Sequence, residues 1–396
     1  MKKNKYDAHE KEEFFALLEN QPYTKILSQL LVANRMFMSM MEGVIITDIT
    51  GAIRFMNPAY SKITGYGEEL FGLNPRVLQS GRHDKNFYRE MWKSIIQEGQ
   101  WRGEIWNRRK NGELYIQSTT ISRINDDFGK PIYYASVLTD ITELKIEEQR
   151  LHTDLLLAKE VQKGALSKPI NDEQIHIEGM YIPSEMLGGD MYTWYKIDAH
   201  RYGVFLMDVM GHGVASALVC MSVRSLLRGI IMKCQDPDLV LQELNNHIYS
   251  LFHEEESLQI KKYYLTSIYA LIDTKDKVIK YASAGHPPGF LIHTDGQTVE
   301  LDEGTIPLGL LQDLDITVGV QHYTSKQSKM LFYTDGLINN EQLSTRENID
   351  FLKNILIEHQ SKNTDKWLSQ VMSELLANNK TSKFRDDATM VAITFY

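Results

Sequence analysis

Tyr202-Gly203-Val204-Phe205-Leu206-Met207-Asp208-Val209-Met210-Gly211-His212-Gly213 decides how this 396-residue chain is read. An apolar run of strand length ends on a carboxylate, and glycines then allow a sharp turn around a histidine. The construction recurs outward from there. Asp190 closes Leu187-Gly188-Gly189-Asp190. Asp335 ends Met330-Leu331-Phe332-Tyr333-Thr334-Asp335, before Gly336. Asp386 and Asp387 precede Ala388-Thr389-Met390-Val391-Ala392-Ile393-Thr394-Phe395. One aspartate beside a glycine is more often a turn residue than a ligand. Four at strand ends, one followed by Gly-His-Gly and one by a second aspartate, favour convergence at one rim of a sheet. Carboxylates that close cannot all ionise unless a cation neutralises them. Hard oxygen donors select Mg²⁺ or Mn²⁺ over zinc.

Further motifs follow in order: Ala284-Gly285-His286-Pro287-Pro288, Pro307-Leu308-Gly309, Tyr333-Thr334-Asp335-Gly336-Leu337 and Arg385-Asp386-Asp387-Ala388-Thr389. With the Asp190 and Asp208 segments, they resemble the SpoIIE/RsbU-type PPM phosphatases over most of residues 155–396. The resemblance implies a two-sheet β-sandwich flanked by helices. It implies a protein serine/threonine phosphatase with two Mn²⁺ or Mg²⁺ ions in a cleft at one end. Asp208 is then expected to bridge the ions, assisted by Asp190 and the Val209 backbone carbonyl. Asp335 and Asp386 would hold the other ion, and Asp387 is a further candidate ligand or a support behind the ligands. Asp208 and Asp335 are the expected catalytic residues. His212 is a candidate general acid, the alternative being a histidine that hydrogen-bonds within its loop; His286 is expected to be structural. The implied substrate is a phosphorylated STAS-domain anti-anti-sigma factor of a bacterial partner-switching pathway. The alternative is a non-catalytic signalling protein that binds such a partner.

The chemistry suits the residues present. A phosphoserine ester is dianionic and repels hydroxide; divalent ions offset that charge and acidify water. No nucleophilic cysteine motif offers another route. Cys220 and Cys234 are the only cysteines. They lack metal-ligand spacing and point to a reducing bacterial cytoplasm. Residues are 43% apolar and 24% charged, as in globular domains. A net charge of −9 argues against a general nucleic-acid surface. No apolar run reads as a membrane span, and no apolar signal core opens the chain.

Length predicts several domains. Residues 1–35 read as a helical lead-in with a break at Pro22. Residues 36–142 alternate short strands and turns. Gly43–Asp48 and Ala52–Asn57 form an expected hairpin around Ile49-Thr50-Gly51, and Lys110-Asn111-Gly112 marks another. With Asp140-Ile141-Thr142 at the end, this order resembles a PAS sensor domain, implying a five-stranded antiparallel sheet with helices. Gly72-Leu73-Asn74-Pro75-Arg76-Val77-Leu78-Gln79 is similar to the flavin-binding motif of light-sensing PAS domains, but Pro75 stands where their cysteine does. Asn107 fits a flavin-contacting position, Gln117 replaces a second, and Leu138 stands at the light-responsive glutamine. Cysteinyl-flavin photochemistry is therefore not expected, and the PAS ligand is unknown. His83 is expected in a surface loop.

Residues 143–170 are expected to form a helical coiled-coil linker. Ile141, Leu144, Glu148, Leu151, Leu155, Ala158, Gln162 and Ala165 follow alternating three/four spacing, a seam interrupted by Glu148 and Gln162. This predicts a homodimer through the PAS domain and linker; a single amphipathic helix packing on its own domain is the alternative. Leu157-Ala158-Lys159-Glu160-Val161-Gln162 also resembles the family's regulatory linker helix, which implies that this helix enters the phosphatase near its active site. Residues 171–396 form the expected phosphatase domain.

Overall fold

The computed structural model describes residues 22–253, 264–323, 327–338, 344–378 and 384–396. The chain divides into two compact units, Met1–Leu151 and His152–Tyr396. The first 21 residues of the expected lead-in lie outside the described residues.

In the first unit, α1 (Pro22–Ser39) begins at Pro22, where proline's missing N–H costs no helical hydrogen bond. Five strands follow: β1 (Gly43–Asp48), β2 (Ile53–Met56), β3 (Gln100–Arg108), β4 (Leu114–Asn125) and β5 (Pro131–Asp140). They form an antiparallel sheet in the order β2-β1-β5-β4-β3. Asp48 closes the first hairpin by accepting from the Thr50 and Ala52 amides. Asn57 caps α2 (Pro58–Thr64) through the Tyr60 amide and also accepts from the Val44 amide, tying helix to strand. Asp84 caps α3 (Lys85–Glu98). Asp140 accepts from the Thr142 amide and hydroxyl and pairs with Arg109 at 2.6 Å. The Asp-Ile-Thr signature is thus a cap on the helix that follows.

His83 lies in the loop before α3, as expected, but is half-buried there. Its Nε2 accepts from the Trp106 amide at 2.8 Å, and its ring stacks on Phe87 at 3.9 Å.

Helix α4 (Thr142–Ala165) leaves Leu144, Leu151, Leu157 and Val161 exposed. Gln162, placed in the seam by its spacing, is instead the helix's buried residue, held within the second unit.

The second unit is a sandwich of two six-stranded sheets. The first sheet runs β14 (Gly304–Thr305), β11 (Val278–Ala284), β10 (Leu265–Asp273), β9 (Arg201–Val209), β8 (Asp190–Lys196), with β15 (Gly319–His322) also on β11. The second runs β13 (Thr298–Leu301), β12 (Gly289–Ile292), β16 (Lys329–Tyr333), β17 (Ala388–Phe395), β7 (Ile175–Ile182), β6 (Ile170–Asn171). Helices α5 (Val214–Cys234) and α6 (Pro237–His253) pack on the first sheet. Helices α7 (Thr345–Glu358) and α8 (Thr364–Asn378) pack on the second.

This layering explains the apolar runs. Every residue of β17 is buried. Val391, Ile393 and Phe395 face the other sheet, whereas Met390 and Ala392 face the helices. Strands covered on both faces lose the apolar–polar alternation of a half-exposed strand. Helix α5 is long and apolar enough to cross a membrane. Here its Ala217, Cys220, Val223, Leu227 and Ile231 are buried among residues of the first sheet and α6.

Candidate metal centre

The antiparallel order brings the start of β8, the end of β9, the end of β16 and the start of β17 to one rim. Asp190 lies directly opposite Asp208, and Asp208 directly opposite Thr266 of β10. Residues so paired project to the same face of a sheet. The second sheet contributes Thr334-Asp335 beyond β16 and Asp386-Asp387 before β17.

Asp190 is buried. Its Oδ2 accepts from the Thr334 hydroxyl at 2.8 Å and the Thr389 hydroxyl at 2.5 Å. Thr334 Oγ1 in turn accepts from the Thr389 amide. The other oxygen, Oδ1, is buried without a hydrogen-bond partner. Burial, followed by the Asp208 charge, raises the Asp190 carboxyl well above the ordinary range. Burial and then Asp335, Asp386 and Asp387 push Asp208 up to about 7. Desolvation and Asp386 also raise Asp335. Asp335 and Asp386 are exposed, Asp208 half-buried. An orphaned carboxylate oxygen amid mutually repelling carboxylates fits a divalent cation with oxygen ligands.

Asp387 does something different. Its Oδ1 accepts from the Ser184 amide and hydroxyl, and its Oδ2 from the Gly189 amide at 2.7 Å. It therefore holds the loop that delivers Asp190. A Cβ on Gly188 would stand 1.9 Å from Asp387 Oδ2, so only glycine admits this approach. The Val209 amide donates to the Gly189 carbonyl across the same loop.

His212 sits on the exposed side, with Nδ1 2.9 Å from Glu185 Oε1. Gln162 of α4 grips the Asp190 loop from the other direction. Its Nε2 donates to the Gly188 carbonyl at 2.6 Å, and its Oε1 accepts from the Gly188 amide at 3.3 Å.

Thr334, Thr389 and Glu185 were not among the expected site residues. The threonines lay within the Tyr-Thr-Asp-Gly and Asp-Asp-Ala-Thr motifs; nothing local marked Glu185. Two tighter histidine–carboxylate groups, His176-Glu178-Asp365 and Glu358-His359-Glu374, lie away from the aspartate rim.

The first unit contains a cavity of about 300 Å³ whose lining includes Pro75, Tyr88, Asn107, Gln117 and Leu138. Gln117 Oε1 accepts from the Tyr115 hydroxyl. The Tyr88 hydroxyl is buried without a partner.

Comparison with known proteins defines the class: a PAS domain followed by a PP2C-type phosphatase fold. Residues 41–143 match the PAS domain model. Residues 198–396, half of the chain, match Stage II sporulation protein E, and the chain belongs to that SpoIIE family. Phosphoserine phosphatase RsbP of Bacillus subtilis is 38% identical over 186 residues, 47% of this chain and 45% of the relative. The chain therefore spans less than half the length of that relative. Phosphoserine phosphatase RsbU of the same organism is 23% identical across 66% of this chain and 76% of its own. The SiaA-PP2C domain of Pseudomonas aeruginosa superposes with a TM-score of 0.52 at 18% identity, over 63% of this chain and 99% of that domain.

Proposed function

We propose that this chain is a PAS-regulated, divalent-metal-dependent protein serine/threonine phosphatase. The observation that carries the reading is Asp190, a buried carboxylate with one oxygen fixed by two threonine hydroxyls and the other unpartnered among further carboxylates. Asp190, Asp208, the Val209 carbonyl, Asp335 and Asp386 would hold two Mn²⁺ or Mg²⁺ ions. Ions bound there supply charge neutralisation of the phosphoester and a water acidified toward neutrality.

The chain's own residues prepare that chemistry. Thr334 and Thr389 donate to Asp190 Oδ2, orienting the carboxylate and leaving Oδ1 for the cation. We assign Asp387 to loop support, because three donors already engage its oxygens. Glu185 beside His212 Nδ1 favours the tautomer that keeps its proton there. Once protonated, the imidazole can deliver a proton from Nε2 to a leaving serine or threonine alkoxide.

The names of RsbP and RsbU support phosphoserine as the bond cleaved. The proposed substrate is a phosphorylated STAS-domain protein in a partner-switching pathway of the bacterial cytoplasm. The PAS cavity would take a small ligand, and a homodimer through the PAS domain and α4 would carry the signal. The deciding experiment incubates a phosphorylated STAS-domain protein with the full chain, with and without Mn²⁺. Metal-dependent phosphate release is expected. Stable binding without release in saturating Mn²⁺ would leave the non-catalytic alternative standing.

A further inference from the structure

His286 lies in the turn between β11 of the first sheet and β12 of the second, and its surroundings are specific. The ring is buried, with Nδ1 2.9 Å from Thr266 Oγ1. Thr266 is the residue directly opposite Asp208. A row therefore runs across three strands and onto the imidazole: Asp190, Asp208, Thr266, His286. The other ring nitrogen, Nε2, is buried without a hydrogen-bond partner. The turn carrying the ring is fastened as well. Ser283 Oγ accepts from the His286 amide and donates to the His286 carbonyl. Gly285 takes φ +65°, and a Cβ there would meet Pro307 at 2.4 Å. Nothing in this arrangement exposes the ring to substrate.

We propose that His286 is a positioning residue for the aspartate rim, fixing Thr266 on β10 so that its directly paired neighbour Asp208 is held in place for a divalent cation. The inference rests on the reading of those aspartates as metal ligands. Burial holds the imidazole's pKa down to about 3, so the ring is neutral and adds no charge beside the aspartates. A metal site is sensitive to such support, because ligands held by outer contacts need no reorganisation when the ion enters.

The test measures Mn²⁺ binding to the full chain by isothermal titration, with hydrolysis of a phosphoprotein recorded separately. His286→Ala should weaken Mn²⁺ binding by about tenfold or more, the scale of lost outer-shell support. Thr266→Val, which keeps the shape but removes the hydroxyl, should weaken it in the same direction. His286→Asn, whose amide reaches toward the Nδ1 position, should restore part of the loss. A folded His286→Ala or Thr266→Val protein that binds Mn²⁺ as the wild type does would overturn the proposal. If His286→Ala does not fold, Thr266→Val alone decides. Failure of the wild-type chain to bind Mn²⁺ would instead overturn the metal reading, a result distinct from a positioning residue that does not position.

Discussion

At the residue scale, Asp190 and Asp208 divide the work by environment. Asp190 is buried and fixed by hydroxyls; Asp208 is half-buried and faces the field of three other carboxylates. Asp208→Asn and Asp335→Ala should each abolish phosphate release, a loss of several orders of magnitude, while circular dichroism shows the fold retained. Turnover at the wild-type rate by either folded variant would remove these residues from the mechanism. The raised pKa values also make a pH prediction. Without metal, the folded protein binds protons at Asp190 and Asp208 more tightly than the unfolded chain, where such groups titrate near 3.8. Their contribution to metal-free stability is complete below that value and is lost as pH rises through about 7. A divalent ion bound at these proposed ligands would replace those protons. The rise in Tm between EDTA and saturating Mn²⁺ should therefore be larger at pH 7.5 than at pH 5.5. An increment unchanged by pH would count against proton–metal competition. Aspartates at strand ends were legible because strand period and turn glycines place them without knowledge of the partner sheet. Thr334 and Thr389 were not. A threonine within or beside a strand has an ordinary β preference, and only the register between sheets turns its hydroxyl toward Asp190.

At the element scale, α4 shows what sequence period leaves open. Three/four spacing places Gln162 in an apolar seam, and a helix pattern carries no information about which neighbour a face meets. The structure gives Gln162 a polar partner: both groups of its amide meet the Gly188 backbone. Short strands such as β6 and β14, two residues each, were equally illegible, because two residues display no period. The longer strands, buried on both faces, announced themselves by apolar length and by the glycines and aspartates at their ends. The Gln162 contact has a measurable energy. Gln162→Ala would leave the Gly188 N–H and C=O without these partners, at a cost of about 1–3 kcal/mol for groups that remain buried. Urea denaturation should show that loss. It should also show a smaller stabilisation by Mn²⁺, since Gly188 lies two residues before Asp190. A variant as stable as the wild type, with the same response to Mn²⁺, would mean that the helix only rests on the loop.

At the scale of the whole molecule, the two units are joined by one helix whose ends have different attachments. At its start, Asp140 accepts from Thr142, and Lys145 pairs with Glu104 of β3. At its end, Gln162 holds Gly188, and Ala165 and Leu166 pack against the core beneath α5. Between these anchors Leu144, Leu151 and Leu157 are exposed. Such apolar surface along a helix is costly in water unless something covers it. A second copy of the helix is the covering that the three/four spacing of Leu144, Leu151 and Leu155 favours. Two packings of such a helix pair that differ little in free energy would let a change in the PAS domain reach Gly188, and through it Asp190. Leu151→Glu combined with Leu155→Glu places like charges along that stripe and leaves the residues at both anchors intact. The double variant should sediment as a monomer and keep metal binding. Its phosphatase activity should be lost or no longer respond to the PAS domain. A wild-type chain that is monomeric at micromolar concentration with full activity would sink the dimer model. So would a double variant that matches the wild type in both sedimentation and regulation, because the exposed leucines would then have no partner whose loss could be felt.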